Sequence, residues 1–433
     1  MASPVADVAF KPDSALAADR GEVPGLWPLI KYLKSAGPGL LVAVGYMDPG
    51  NWATDIAGGS RTGYTLLSVV FISSLAAMFL QYLALKLGLA SGRNLAEVIA
   101  GNTRRSVRTA LWIISEVGMI ACSLAELLGA MLAIQLLFGF PEPVAVLLSG
   151  ANMLLLLKLE KHVRKLEAVV GTMVLLTALC LAMEFAWSSP SSAAIVSGVT
   201  KVPHLNRETL YLAAGILGAT VMPHNLYLQS ALMAPEHGNR SINKCSVLRV
   251  EMIGTVLPLC LAALVNAALL ILAAAIFHHQ APGEVVDLSQ AYKLLPLSFG
   301  TRFAGVLFGI ALWLSSQGAA ITSAMAGRIV LEGFNTVKIS PVRARSISRT
   351  LAVVPALLVS CLCGRGGTNA LLIFSQVILS VQLLFVALPL LRLTGDADLM
   401  KGLANKVLTR IIGWGIIGTI FASDMALASI AGR

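Results

Sequence analysis

Residues 46–55 read YMDPGNWATD, and they lie inside an otherwise apolar stretch that runs from Pro38 past Ile56. That stretch is long enough to cross a bilayer, which takes about 20 apolar residues. Three of its features nevertheless oppose an unbroken helix. Pro49 removes a backbone donor, and Gly50 removes the steric bias toward helix. Asp48 is an ionisable group near mid-membrane, which costs about 3 kcal/mol or more and marks a functional position by default. The span is therefore expected to unwind here, and the freed carbonyls must find a neighbour, water or an ion.

The surrounding chain has the composition of a polytopic membrane protein. Of 433 residues, 57% are hydrophobic and only 12% are charged, against about 25% charged in soluble domains; the mean hydropathy is +0.80. The formal net charge is +10. The Lys and Arg residues, however, fall in short clusters between apolar runs, where the positive-inside rule places them, so nucleic acid is not an expected partner. Eleven spans are predicted, over 37–60, 64–88, 109–138, 142–158, 166–187, 209–233, 249–277, 302–332, 347–363, 368–392 and 410–431. Alternate loops are basic: Lys86 to Arg108, Lys158 to Lys165, Arg240 to Arg249, Lys338 to Arg349, and Lys401 to Arg410. That alternation predicts a cytoplasmic amino terminus and an external carboxyl terminus. Residues 1–35 read as a cytoplasmic tail and 36–433 as the membrane domain. The six cysteines lie in or beside apolar runs without metal-ligand spacing and read as small buried hydrophobes.

The sixth span carries a counterpart to the first: GATVMPHNLYLQS, residues 218–230, in which Pro223 interrupts an apolar run between Met222 and His224-Asn225. A lone intramembrane proline is ordinarily a kink. Two polar-flanked breaks in spans one and six sit where an inverted five-plus-five repeat places its paired discontinuous helices, and they point to a midplane binding site. The residue types suggest a cation as cargo. Asp48 offers an anionic oxygen, Asn51 an amide oxygen, Gly45 and Ala219 backbone carbonyls, and Met222 a thioether. Oxygens alone would suit Mg²⁺ or Ca²⁺; the sulfur favours Mn²⁺, Fe²⁺, Co²⁺ or Cd²⁺.

MDPGNWATDIAGGSRTGY and GATVMPHNLYLQSAL closely resemble the two signature segments of the Nramp family of divalent metal transporters. GLASGRNLAEVI, LAELLGA and FSQVILSVQLLFVALPL match it further along the chain, and the likeness covers nearly everything from about residue 30. The resemblance implies an all-α, LeuT-like fold of two inverted five-span repeats plus an eleventh helix. It also implies alternating access and import of Mn²⁺ or Fe²⁺ together with protons across a bacterial inner membrane. Oligomeric state stays open, and no resident cofactor is expected.

Position by position, the resemblance makes Asp48, Asn51 and Met222 metal-binding side chains, with Gly45 and Ala219 as carbonyl ligands and Gln376 approaching the metal when the outer side closes. Asp48, Glu116, Glu126, His224 and Arg349 would form the proton route, and Asn266 a gate. The departures cluster. Ser123 stands where the family usually has Asp, Ser348 where it has the first of two arginines, Gln229 in place of a histidine, and Ser74 in place of an asparagine. Losing an acid and a base together fits removal of a matched pair, since deleting one partner strands a buried charge at about 3–5 kcal/mol. Proton coupling is thus expected through a shortened route, or else is weakened. Asp424 in the eleventh span and the His278-His279 pair have no assigned role.

Other readings are a LeuT-like carrier of organic solutes, a magnesium carrier, a membrane enzyme and a metal-sensing receptor. Organic-solute carriers favour small apolar contacts at the unwound turns, and a magnesium carrier would lack the thioether. The sequence contains no HExxH, GxSxG or P-loop pattern for an enzyme. A receptor would be expected to carry a sizeable soluble domain.

Overall fold

The computed structural model describes residues 38–156, 163–188, 190–200, 206–234, 244–280, 286–334 and 341–431. The expected tail, residues 1–35, and the loop cations Lys158, Lys161, Arg240 and Lys338 lie outside the described residues. Among the described residues the chain is helical, with no strand.

The first span is two helices, α1 over 38–45 and α2 over Pro49–Thr62, separated by a non-helical turn. A single 3-10 turn, Gly63–Leu66, leads into α3 (Leu67–Ser91). There follow α4 (Leu95–Asn102), α5 (Arg105–Phe138), α6 (Glu142–Leu156), α7 (Val163–Ser188) and α8 (Ser192–Thr200). The sixth span is again two helices, α9 (Arg207–Thr220) and α10 (Pro223–Met233). The remainder is α11 (Lys244–Gln280), α12 (Leu288–Phe299), α13 (Arg302–Phe334), α14 (Pro341–Leu362), α15 (Gly364–Thr394), the short α16 (Ala397–Met400) and α17 (Val407–Ala431). All eleven predicted spans are present. Among the described residues, eight helical stretches are long and apolar enough to cross a membrane, one of them running from the second half of span one through span two; the 15-residue α6 and the two broken spans complete the set.

Local chemistry accounts for the connections. In GLASGRNLAEVI, Gly92 takes a left-handed conformation (φ 67°) that ends α3. Asn94 and Glu97 then form a reciprocal capping box that starts α4. Ser230 in α10 accepts the Leu95 amide at 2.8 Å, which ties this connection to the sixth span. Helices α8 and α12 lie in loops that hydropathy alone marks only as non-spanning; a second capping box, Asp287 with Gln290, starts α12.

Large apolar side chains such as Ile72, Leu75, Leu175, Leu257, Leu264, Leu351 and Leu408 face outward, as a lipid-facing surface requires. Inside the bundle, α2 packs on α11 and α9, while α5 packs on α13 and α15. Arg61 at the end of α2 pairs with Glu208 at the start of α9 (2.7 Å). The second half of span one therefore lies antiparallel to the first half of span six, as an inverted repeat demands. Both side chains are partly exposed, so this pair contributes about 0–1 kcal/mol.

Candidate metal centre

At the first break the chain makes two tight turn bonds, Tyr46 N–H to the Ala43 carbonyl (3.0 Å) and Met47 N–H to that of Val44 (3.2 Å). The carbonyls beyond are taken by side chains of neighbouring spans and of α2 itself. Asn266 in α11 donates to the Tyr46 carbonyl (3.0 Å), and Trp52 Nε1 donates to that of Met47 (3.1 Å). Ser315 in α13 donates to the same Met47 carbonyl. Asp48 is extended (ψ 164°) and caps α2, with Pro49 opening the helix. An acid at a helix N-terminus is favoured by the cap bond and by the macrodipole. The position that looks costly for membrane burial is thus a good one locally.

Asp48 Oδ1 accepts both from the Asn51 backbone N–H and from Asn51 Nδ2, each at 2.9 Å. The same Nδ2 reaches across to the Ala219 carbonyl at 3.0 Å. One amide nitrogen therefore stands between a carboxylate oxygen of span one and a carbonyl of span six. Thr220 Oγ1 (3.5 Å) and Asn266 Nδ2 (3.4 Å) approach Asn51 Oδ1.

The second break mirrors the first. Val221 and Met222 are non-helical, and Met222 precedes Pro223 at the start of α10. Asn225 Nδ2 lies 3.8 Å from the Met222 sulfur, and its carboxamide packs so tightly on Gly45 that a Cβ there would lie 2.3 Å from Nδ2. Gln376 in α15 rests on Gly50 in the same way, 2.1 Å from where a Cβ would be. Asp48, Asn51, Met222 and Gln376 are fully buried. Asp48 Oδ2, Asn225 Oδ1, Asn266 Oδ1 and Gln376 Oε1 are buried without a hydrogen-bond partner. Each such orphan costs about 1–3 kcal/mol, and every one is an acceptor, the deficit that a cation relieves. Among the described residues no group of three or more His, Cys, Asp or Glu is placed to hold a metal. The centre is instead a mixture of one carboxylate, amides, carbonyls and a thioether.

The residues expected to carry protons form a second layer. Glu126 in α5 accepts from Ser323 (2.8 Å) and from the Cys122 thiol (3.3 Å). Cys122 also lies 3.7 Å from His224 Nε2, so Glu126 and His224 meet through a sulfur. Arg349 donates to the Ala320 carbonyl at 2.7 Å and to that of Met153. Glu116 accepts from Ser348 at 3.1 Å. Glu116, Ser123, Ser323, Arg345, Ser348 and Arg349 line one narrow cleft of about 20 Å³, enough for a water molecule. The two departures Ser123 and Ser348 thus face the same space. Gln229 bonds Thr255 in α11 (3.1 Å), and Ser74 lines a small cavity with Tyr46, Thr220 and Asn266.

Sequence reasoning missed Asn225, Cys122, Ser323 and Asp55. Asp55 was legible in principle as a second acid about two helical turns after Asp48 in the same apolar run. It is buried, with neither carboxylate oxygen partnered.

Eleven spans whose first and sixth unwind against each other around a buried polar centre define a polytopic membrane protein of LeuT-like architecture. Two distant structures share that fold. MhsT in complex with L-phenylalanine has a TM-score of 0.58 at 14% identity, covering 89% of this chain and 98% of that one. Mhp1, a nucleobase-cation-symport-1 family transporter, has a TM-score of 0.53 at 13% identity, covering 91% and 92%. Within that architecture the chain belongs to the Nramp family: the family model, described as natural resistance-associated macrophage protein-like, matches residues 39–429. A relative from Ralstonia nicotianae named Divalent metal cation transporter MntH is 43% identical over 413 residues, 93% of this chain and 91% of its own. One of the same name from Listeria welshimeri is 42% identical over 384 residues, 88% and 86%. The crystal structure of the Eremococcus coleocola manganese transporter with an aromatic bis-isothiourea compound superposes with a TM-score of 0.85. It is 30% identical and covers 98% of this chain and 91% of that one.

Proposed function

We propose that this protein carries divalent transition-metal ions, Mn²⁺ and also Fe²⁺, across the bacterial inner membrane by alternating access, with protons moving alongside. The observation that carries the reading is the Asn51 amide nitrogen held between Asp48 Oδ1 and the Ala219 carbonyl. Two N–H donors there occupy the place where a cation would bridge the same two oxygens. Turning the Asn51 amide would offer its own oxygen to the ion, with Met222 supplying the sulfur that disfavours Ca²⁺ and Mg²⁺. Gly45 and Ala219 supply carbonyls in different conformations, and Gln376 closes over the ion from α15. The names of the MntH relatives and of the manganese transporter support the cargo.

The proton role rests on Asp48, His224, Glu126, Glu116 and Arg349, because a carboxylate must lose its proton to bind metal. The Glu126–Cys122–His224 contacts and the cleft at Glu116 favour a shortened route that still couples the two ions. Asn266, bonded to the Tyr46 carbonyl, is the proposed gate on the first break.

The test is Mn²⁺ uptake into liposomes that report internal pH, comparing wild type with Asp48→Ala. Uptake with acidification, both abolished in the variant, is expected. Uptake without acidification would separate metal entry from protons, and no uptake by wild type would overturn the reading.

A further inference from the structure

Helix α17 lies at the edge of the bundle. Val407, Leu408, Ile411, Trp414, Phe421 and Met425 point outward, while Ile417 and Ile420 face the bundle; Asp424 is the one carboxylate of this helix. Asp424 is nevertheless buried, only 7% exposed, and accepts from Ser380 Oγ in α15 at 3.1 Å. A lone carboxyl in a peripheral membrane helix is costly, so the contact it makes is informative.

Ser380 is fully buried and stands one helical turn beyond Gln376. The same turn of α15 is pressed against α9. A Cβ on Gly218 would lie 2.0 Å from the Gln376 carbonyl oxygen and 2.6 Å from the Ser380 nitrogen. Gly218 precedes Ala219, whose carbonyl takes the Asn51 amide. On its other side the turn lays the Gln376 carboxamide on Gly50, in the first turn of α2. The 376–380 turn is thus held on three sides: α2 through Gln376, α9 through Gly218, and α17 through Asp424. The first two contacts are close packing. The third is one directional hydrogen bond.

We propose that Asp424 is a positioning residue for transport: its bond to Ser380 lets α17 hold the turn of α15 that places Gln376 over the metal centre. This rests on the proposed function, because the quantity that Asp424 governs is engagement of the transported ion. Asp424 makes no hydrogen bond to that centre: Oδ1 accepts from Ser380 and Oδ2 has no partner. Removing the bond frees the turn to shift and loosens the Gln376 contact, so the affinity for the ion falls while the passage stays open.

The experiment measures initial Mn²⁺ uptake over a range of concentrations for the full chain in liposomes, with thermal unfolding of each variant alongside. Asp424→Ala and Ser380→Ala are each expected to raise the half-saturating Mn²⁺ concentration about fivefold and to leave the maximal rate within about twofold; the double variant is expected to match either single one. Asp424→Asn keeps an oxygen that can accept from Ser380, so it is expected to stay within about twofold of wild type. All variants should melt within a few degrees of one another. Wild-type kinetics in Asp424→Ala would overturn the proposal alone. So would multiplication of the two effects in the double variant, failure of Asp424→Asn to rescue, or losses that track melting temperature. No uptake by wild type would overturn the proposed function and this inference with it.

Discussion

Gly50→Ala isolates how α15 meets the first broken helix. The added methyl would lie 2.1, 2.2 and 2.6 Å from Nε2, Cδ and Oε1 of Gln376, inside any permissible contact, and the Gln376 side chain is fully buried. The three atoms belong to one carboxamide at the far end of a flexible side chain, so the methyl displaces that group from its proposed place over the ion, and losing a bond to a charged partner costs about 1.5–3 kcal/mol. Alanine's advantage over glycine in a helix, up to about 1 kcal/mol, goes to the folding of α2, where residue 50 is in the first turn, and does not offset that loss. A loss of about 2 kcal/mol, at 1.36 kcal/mol per decade, is about thirtyfold. The expected result is Mn²⁺ uptake into liposomes reduced by about that factor in Gly50→Ala. The cause can be separated from general damage by Gln376→Ala, which removes the atoms struck. The double variant Gly50→Ala/Gln376→Ala should be no worse than Gln376→Ala alone, since its steric conflict is gone. Uptake in Gly50→Ala within threefold of wild type, or a double variant whose loss equals the product of the single ones, would refute the reasoning.

Met222→Ala should raise the half-saturating Mn²⁺ concentration, abolish most Cd²⁺ uptake and admit Ca²⁺, because the remaining ligands are all hard oxygens; competition uptake assays read this, and unchanged exclusion of Ca²⁺ would count against a ligating sulfur. Ser123→Asp and Ser348→Arg should each reduce uptake about tenfold, since each alone upsets the charge balance of a buried cleft that already holds Glu116, Arg345 and Arg349. Their combination should recover most of the activity, because both residues line one cleft. A double variant no better than its worse parent would show that the two serines are not replacements for a pair.

The sequence by itself determined the eleven spans and the two places where the backbone must leave the helix. It determined as well that Asp48 and Met222 flank those breaks. These are local matters: proline lacks a donor, glycine lacks a Cβ, and a carboxylate in an apolar run announces its own cost. The resemblance of its motifs to Nramp segments added the family, which whole-chain similarity bears out.

Which faces meet was decided only by the tertiary structure. Inside a span almost every residue is apolar, so hydropathy carries no period that tells an inward face from a lipid-facing one. Nothing in α5 marked Cys122 as the contact between Glu126 and His224. Nor did α15 show that Gln376 would lie on Gly50 while Ser380 turned to Asp424. Asp55 follows Asp48 by about two helical turns, yet its burial without a partner exists only in the packed bundle. Packing between helices of nearly uniform hydrophobicity follows from shape and from the few polar side chains that must find one another. Those pairings join residues up to 319 positions apart, as Lys86 with Asn405 shows, and they exist only once the bundle has closed.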